Sequence, residues 1–157
     1  AAEHAIKNSK AFIVYATSGG MRMQTGNLSL QQMGRMTIAM HELKKKNIPT
    51  IVVAGGHVLG GTTASFASLA DQIYSEDENY LWGFSGKRII EQNLKEKLAP
   101  EVQSSRWVMD HGGLDKIIPR HNLRDEIYNF LSILLKIKEK EAKDSNVKVD
   151  KSLQAVS

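Results

Sequence analysis

Apolar residues along this chain fall into two kinds of run. Residues 11–16 (AFIVYA) and 50–54 (TIVVA) are short, unbroken and rich in β-branched and aromatic side chains. Such runs predict strands buried on both faces. Elsewhere the apolar positions recur every three or four residues. Leu30, Met33, Met36, Met40 and Leu43 then share one face of a helix over 28–46. Asn27 is the candidate N-cap of that helix, and Asn47 and Pro49 end it. Ile127, Phe130, Leu131, Leu134 and Leu135 mark a last amphipathic helix over 123–138. Between these lie a small-residue helix at 62–69, short strands at 72–75 and 80–84, helices at 86–97 and 104–111, and a strand-like stretch at 114–119. Strand, glycine-rich break and helix recur in that order at 11–46 and 50–69, which predicts an α/β architecture.

The two ends of the chain read differently. Residues 1–12 have helical character with no capping residue before them, the pattern expected of a fragment or of a chain processed at its N-terminus. Residues 138–157 carry many Lys, Asp and Glu and no aromatic residue, so they are expected to form a solvated tail. The expected division is a folded part over 1–137 and a charged tail over 138–157.

Composition narrows the chemistry. The chain has 157 residues, a net charge of +4 and no Cys. The absence of Cys excludes a disulfide scaffold, a thiol nucleophile and a Cys-based zinc site. The positive charge is mild and dispersed, which suits a small anionic ligand at least as well as nucleic acid. No apolar run approaches the roughly 20 residues of a membrane helix. No metal, nucleic acid or membrane partner is therefore expected, and cytoplasm or an organelle stroma is the expected compartment.

Two glycine-rich breaks each follow a strand and precede a helix: Thr17-Ser18-Gly19-Gly20, and Gly55-Gly56-His57-Val58-Leu59-Gly60-Gly61. Such turns leave backbone N–H groups free at a helix start, where the dipole also favours negative charge. They read as an oxyanion-hole device or as ordinary strand-to-helix turns. Neither fits the dinucleotide or P-loop glycine patterns. No serine stands in GxSxG, no histidine pair has the HExxH spacing, and a triad drawn from Ser65, His111 and Asp71 has no support in spacing. His57, inside the second break, is the best-placed histidine. Arg22, Lys87 and Arg88 flank glycine turns and are candidates for phosphate contacts or simply solvated cations. The methionines at 33, 36 and 40 read as core packing.

Four segments together carry a family resemblance: Ser18-Gly19-Gly20-Met21-Arg22-Met23-Gln24-Thr25-Gly26 with Leu28-Ser29-Leu30-Gln31-Gln32-Met33; Gly60-Gly61-Thr62-Thr63-Ala64-Ser65-Phe66-Ala67; Gly83-Phe84-Ser85-Gly86-Lys87-Arg88-Ile89-Ile90-Glu91-Gln92; and His111-Gly112-Gly113-Leu114-Asp115-Lys116-Ile117-Ile118-Pro119-Arg120. In order and spacing they resemble the carboxyltransferase β subunit of bacterial and plastid acetyl-CoA carboxylase. The chain departs from that family's pattern at Met21, Thr25 and His57, and it carries no four-Cys zinc ribbon.

The resemblance implies a crotonase-like fold of repeated ββα units, incomplete at its N-terminus. It implies transfer of a carboxyl group from biotin, held on a carrier protein, to acetyl-CoA, giving malonyl-CoA for fatty acid synthesis. It also implies a carboxyltransferase α subunit, a biotin carboxyl carrier protein and a biotin carboxylase as partners, in an αβ hetero-oligomer. On this reading Gly19, Gly20, Gly60 and Gly61 contact the thioester or enolate, while Ser18, Arg22, His57, Gly86, Lys87 and Arg88 bind substrate. Two other readings stay open: a subunit that keeps the fold for assembly alone, and another crotonase-type acyl-CoA enzyme. A hydratase of that type needs a carboxylate at the site, and neither glycine-rich break contains one.

Overall fold

The computed structural model describes residues 1–135. The expected charged tail, and the last turn of the helix expected to reach Lys138, lie outside the described residues. The chain divides into two compact units, 1–120 and 121–157.

The first unit is built on a parallel sheet. Strand β1 (Phe12–Ser18) pairs with β2 (Thr50–Leu59). The first half of β2 pairs with β3 (Gln72–Ser75), which in turn pairs with β5 (Lys116–Ile117). The second half of β2 pairs instead with the short β4 (Trp82–Gly83). Every one of these pairings is parallel, as strand–helix–strand connections require. Helix α1 (Ala2–Lys7) precedes the sheet, and α2 (Asn27–Lys45) links β1 to β2. A four-residue helix α3 (Gly61–Ala64) follows β2; α4 (Lys87–Leu94) and α5 (Ser105–Asp110) follow β4. Helix α6 (Arg120–Leu134) supplies the described part of the second unit.

Two apolar clusters hold the first unit together. One joins Ala16, Val52, Ala54, Val58, Ala67, Trp82 and Leu114 across the sheet. The other packs Ala5 of α1 on Met40 and Leu43 of α2 and on Ile48. Burying one such large side chain is worth about 1.5–3 kcal/mol, so the helical stripe anchors α2 at its C-terminal end. Its N-terminal half is more open, with Leu30 half exposed.

Several sequence expectations need correction. Strand β1 is not buried on both faces: Ile13 and Tyr15 on one face are 46% and 48% exposed, while Ala16 on the other face is buried. Asn27 is the first helical residue and not the cap; Gly26, at φ 52°, occupies the cap position. The helix expected over 62–69 is interrupted at Ser65, and a separate 3-10 turn spans Ala67–Leu69. The strand expected over 80–84 shrinks to Trp82–Gly83, which pairs with Val58 and Leu59 at the end of β2. The helix expected over 86–97 ends at Leu94, where Lys95 turns left-handed at φ 57°.

The largest correction concerns 55–61. Gly55, Gly56 and His57 are not loop residues; β2 runs on through them to Leu59. Their pairing with β1 resumes at Ser18 and Val58, after a register shift between Ala16 and Ser18. A Cβ at Gly55 would strike the Tyr15 ring, and one at Gly56 would strike Thr17. These glycines make room for side chains of the neighbouring strand. The second break is only Gly60-Gly61.

Candidate functional site

The site forms where β1 and β2 end side by side. Beyond Ser18 the chain turns at Gly20, with φ 113°; beyond Leu59 it turns at Gly60, with φ 68°. Both angles lie in the region that favours glycine. A Cβ on Gly60 would lie 3.0 Å from the Gly20 Cα and 3.5 Å from the Met21 nitrogen. Parallel pairing of the two strands thus delivers both glycine breaks to one place, backbone against backbone.

A network behind the turns fixes them. The Gly60 N–H donates to the Gly83 carbonyl (2.9 Å). Gly83 is held by Trp82, whose indole N–H donates to the buried Ser105 hydroxyl (3.1 Å), while that hydroxyl donates to the Tyr80 carbonyl (3.0 Å). The Thr63 hydroxyl donates to the Val58 carbonyl (2.6 Å), which ties α3 back to its own strand. Across the gap, the Gly20 N–H donates to the Ser18 hydroxyl oxygen (3.2 Å). Helix α3 starts at Gly61, and first-turn N–H groups have no intrahelical acceptor.

Between the glycine turns and α2 lies a cavity of about 170 Å³. Gly20, Met21, Gly61 and Thr62 line one side, and Ser29, Met33 and Met36 of α2 line the other. Met33 reaches across it: a Cβ on Gly61 would lie 3.0 Å from the Met33 sulfur. The methionine stripe, read from sequence as core, therefore lines the cavity at Met33 and Met36. Nothing in the sequence separates 33 and 36 from Met40, since all three lie on the same helical stripe.

The other candidates are placed as follows. Gly19 is exposed beside Gly20. Arg22 is exposed, and its carbonyl accepts from the Thr25 amide (3.2 Å) and the Thr25 hydroxyl (2.6 Å). His57 lies outside the cavity lining; its Nδ1 accepts from the Leu81 N–H (3.0 Å). Gly86 caps α4, and the Lys87 ammonium donates to the Pro100 carbonyl, so it holds the loop after α4. Gly86, Lys87 and Arg88 do not line the cavity either. Ser65, His111 and Asp71 are not brought together as a triad. Ser65 is buried and donates to the Gly61 carbonyl, Asp71 accepts from the Thr50 amide and hydroxyl (2.8 Å each), and His111 Nδ1 pairs with the Trp107 carbonyl (2.7 Å). Among the described residues no group of three or more His, Asp or Glu is placed to hold a metal ion, and no helix is long and apolar enough to cross a membrane.

One charged cluster stands apart from the cavity lining. The Tyr15 hydroxyl donates to Glu76 (2.6 Å), and Arg120 bonds both Glu76 (3.1 Å) and the Tyr15 oxygen. The hydrogen bond to Glu76 raises the Tyr15 phenol above its usual pKa, while Arg120 pulls it the other way.

The parallel sheet with its crossing helices is a crotonase-like fold, and the comparisons with known proteins agree. Transcarboxylase 12S, solved with hydrolysed methylmalonyl-coenzyme A bound, superposes with a TM-score of 0.64 at 27% identity, over 72% of this chain and 22% of that one. A Pseudomonas malonate decarboxylase, in a structure with malonate, shares the fold with a TM-score of 0.66 at 15% identity, over 86% of this chain and 60% of that one.

In sequence the chain is homologous to the acetyl-coenzyme A carboxylase carboxyl transferase subunit β. It is 43% identical to that of Acinetobacter baylyi over 137 residues, 87% of this chain and 46% of the relative. It is 43% identical to that of Brucella abortus over 134 residues, 85% of this chain and 44% of the relative. The chain thus spans a little under half the length of these curated relatives. No protein-family model matches it.

Proposed function

We propose that this chain forms the acyl-CoA side of an acetyl-CoA carboxylase carboxyltransferase, in which acetyl-CoA is carboxylated to malonyl-CoA. The approach of Gly60 to within contact of Gly20 carries the reading, because it sets two glycine turns around one small cavity. The Gly60 N–H is committed to Gly83 and the Gly20 N–H to Ser18, so a thioester oxygen placed there draws on the first-turn N–H groups of α3, from Gly61 on, which need no rearrangement as charge develops on it. When a C–H bond of the acetyl methyl breaks, its electron pair passes into the enolate, and the amides stabilise the oxygen that gains the charge. The carbon would then bond to the carboxyl carbon as the donor's bond from nitrogen to that carbon breaks, and the nitrogen, keeping the electron pair, would take the methyl proton.

No carboxylate or imidazole lines the cavity among the described residues. The proton acceptor must therefore come from outside these residues, which disfavours a hydratase. Biotin on a partner protein supplies the carboxyl group when bound. A carboxyltransferase α subunit, a biotin carboxyl carrier protein and a biotin carboxylase are the partners this reading requires, in the cytoplasm or a plastid stroma. Arg22 and Arg88, both exposed, remain candidates for the CoA phosphates. Lys87 serves first to hold the loop at Pro100.

An assembly-only subunit is the competing reading, and Met21 favours it, since this departure from the family pattern lines the cavity itself. The deciding measurement is malonyl-CoA formation by the chain combined with α subunit, carboxylated carrier and acetyl-CoA. Turnover that disappears when this chain is withheld supports catalysis. Acetyl-CoA binding without turnover, or no binding at all, rejects it.

A further inference from the structure

The cavity has a feature the glycine turns do not explain: its far wall is methionine. Met33 covers Gly61, with its sulfur 3.0 Å and its Cγ 3.1 Å from where a Cβ would stand. Met36, one turn on, and Met21, from the first glycine loop, add to the apolar part of a lining that also holds Ser29, Gln32, Thr62 and Ser65. At about 170 Å³ the space is small. Sites for drug-sized ligands occupy roughly 300–1,000 Å³. Met33 is neither core nor free surface; it is half-buried on a helix whose neighbours Leu30 and Ile38 are 51% and 64% exposed.

We infer that Met33 sets the length of acyl chain this site accepts, limiting it to short acyl-CoA thioesters. The inference rests on the acyl-CoA reading above. With the thioester oxygen at the N–H groups that open α3 at Gly61, substituents on the acyl α-carbon have the cavity in front of them. Met33 is the side chain they meet over Gly61. Its unbranched thioether adapts to a small acyl group but leaves no room for several more methylenes. Shortening it opens the space directly over the second glycine turn, and enlarging it closes that space.

The test is direct binding, measured by calorimetry on the full chain in the assembly in which it is purified. The probes are acetyl-, butyryl- and hexanoyl-CoA. In an apolar pocket one methylene changes discrimination by about 10–200-fold. Met33→Ala should raise hexanoyl-CoA affinity relative to acetyl-CoA by at least about tenfold, the low end of that range. Met33→Leu, close in volume, should keep the wild-type preference, and Met33→Phe should weaken butyryl- and hexanoyl-CoA first. Ile38→Ser, on the exposed side of the same helix, should change nothing. If the wild type binds acetyl-CoA but Met33→Ala keeps its chain-length preference, the gate is wrong and the acyl-CoA reading stands. If the wild type binds none of the three, both fall. Should Met33→Ala unfold, the Leu and Phe variants decide: equal binding of all three thioesters by both overturns the gate.

Discussion

Strand β2 carries two Gly-Gly pairs five residues apart, and they do different work. Gly55 and Gly56 sit inside the strand, where the obstacle is a side chain: the Tyr15 ring above one, the Thr17 hydroxyl beside the other. Gly60 and Gly61 sit at its end, where Gly60 meets backbone, the Gly20 Cα, and Gly61 meets the end of a flexible methionine. Only Gly60 among the four has a positive φ. The first pair lets two strands lie close with a tyrosine between them; the second lets two loops touch. Identical dipeptides thus separate into a packing role and a candidate oxyanion-binding role according to what stands opposite.

The sharpest way to break that contrast is Gly60→Val against Gly55→Ala. Gly60→Val forces a β-branched residue into φ 68° and drives its Cβ against Gly20. Strained conformations of this kind cost on the order of 1–3 kcal/mol. Displacing even one oxyanion donor lowers turnover by about 10²–10³-fold. Carboxyl transfer should therefore fall by at least about 100-fold. Gly55→Ala should cost about 1–3 kcal/mol of stability by overpacking against Tyr15, and leave turnover of the folded fraction unchanged. Paired kinetics and denaturant melts decide. Equal loss of turnover in both variants would erase the distinction between the two pairs.

The same contrast explains how much could be read from the sequence. The strands at 11–16, 50–54 and 72–75 announce themselves by composition, and the break-then-helix rhythm gives the α/β class. Ser18-Gly19-Gly20 and Gly60-Gly61 are legible as turns, because the positive φ at Gly20 and at Gly60 selects glycine locally. Glycine at 55 and 56 is selected by Tyr15 and Thr17, forty residues away in sequence, so the run from 55 to 61 reads as one loop until the register is known. His57 was drawn into that loop by the same error. The exposed face of β1 was equally hidden, since an apolar run does not say which of its two faces is covered. Met33 shows the converse: its spacing places it on the helical face, but only the approach of Gly61 makes that face a cavity wall.

A smaller effect tests the packing role through pH. Tyr15 lies over Gly55 and donates to Glu76, which raises its phenol above the ordinary value of 10.0. A group whose folded pKa is raised contributes stability that is fully present below the unfolded value, and that contribution is lost as pH rises through the folded one. Wild type should exceed Tyr15→Phe in stability at neutral pH by at most about 1 kcal/mol, the range for exposed polar pairs. The margin should close as pH climbs above about 10. Thermal melts of both proteins from neutral to alkaline pH measure it. A margin that stays constant to the alkaline limit would mean the Tyr15–Glu76 bond contributes nothing.

The smallest expected change is at His57, between the two glycine pairs. Its Nδ1 accepts from the Leu81 N–H, and the Leu81 carbonyl accepts from the Val58 N–H (2.8 Å), so Leu81 is bound to β2 on both sides. The imidazole also meets the Tyr80 ring edge-on at 6.1 Å. These contacts steer the chain into β4, where Gly83 receives the Gly60 N–H. His57→Ala removes one of the two bonds, and since His57 is exposed, water can reach the freed N–H. The cost should fall at the low end of the roughly 0.5–1.5 kcal/mol of a typical hydrogen bond. The Val58–Leu81 bond and the Trp82–Ser105 anchor still hold β4 in register. Acyl-CoA affinity should then stay within about twofold of wild type, under 0.5 kcal/mol on the scale where 1.4 kcal/mol is tenfold. Calorimetry alongside a denaturant melt separates the two quantities. A tenfold loss of affinity without loss of stability would return His57 to the substrate side and remove the assignment of this stretch of β2 to packing.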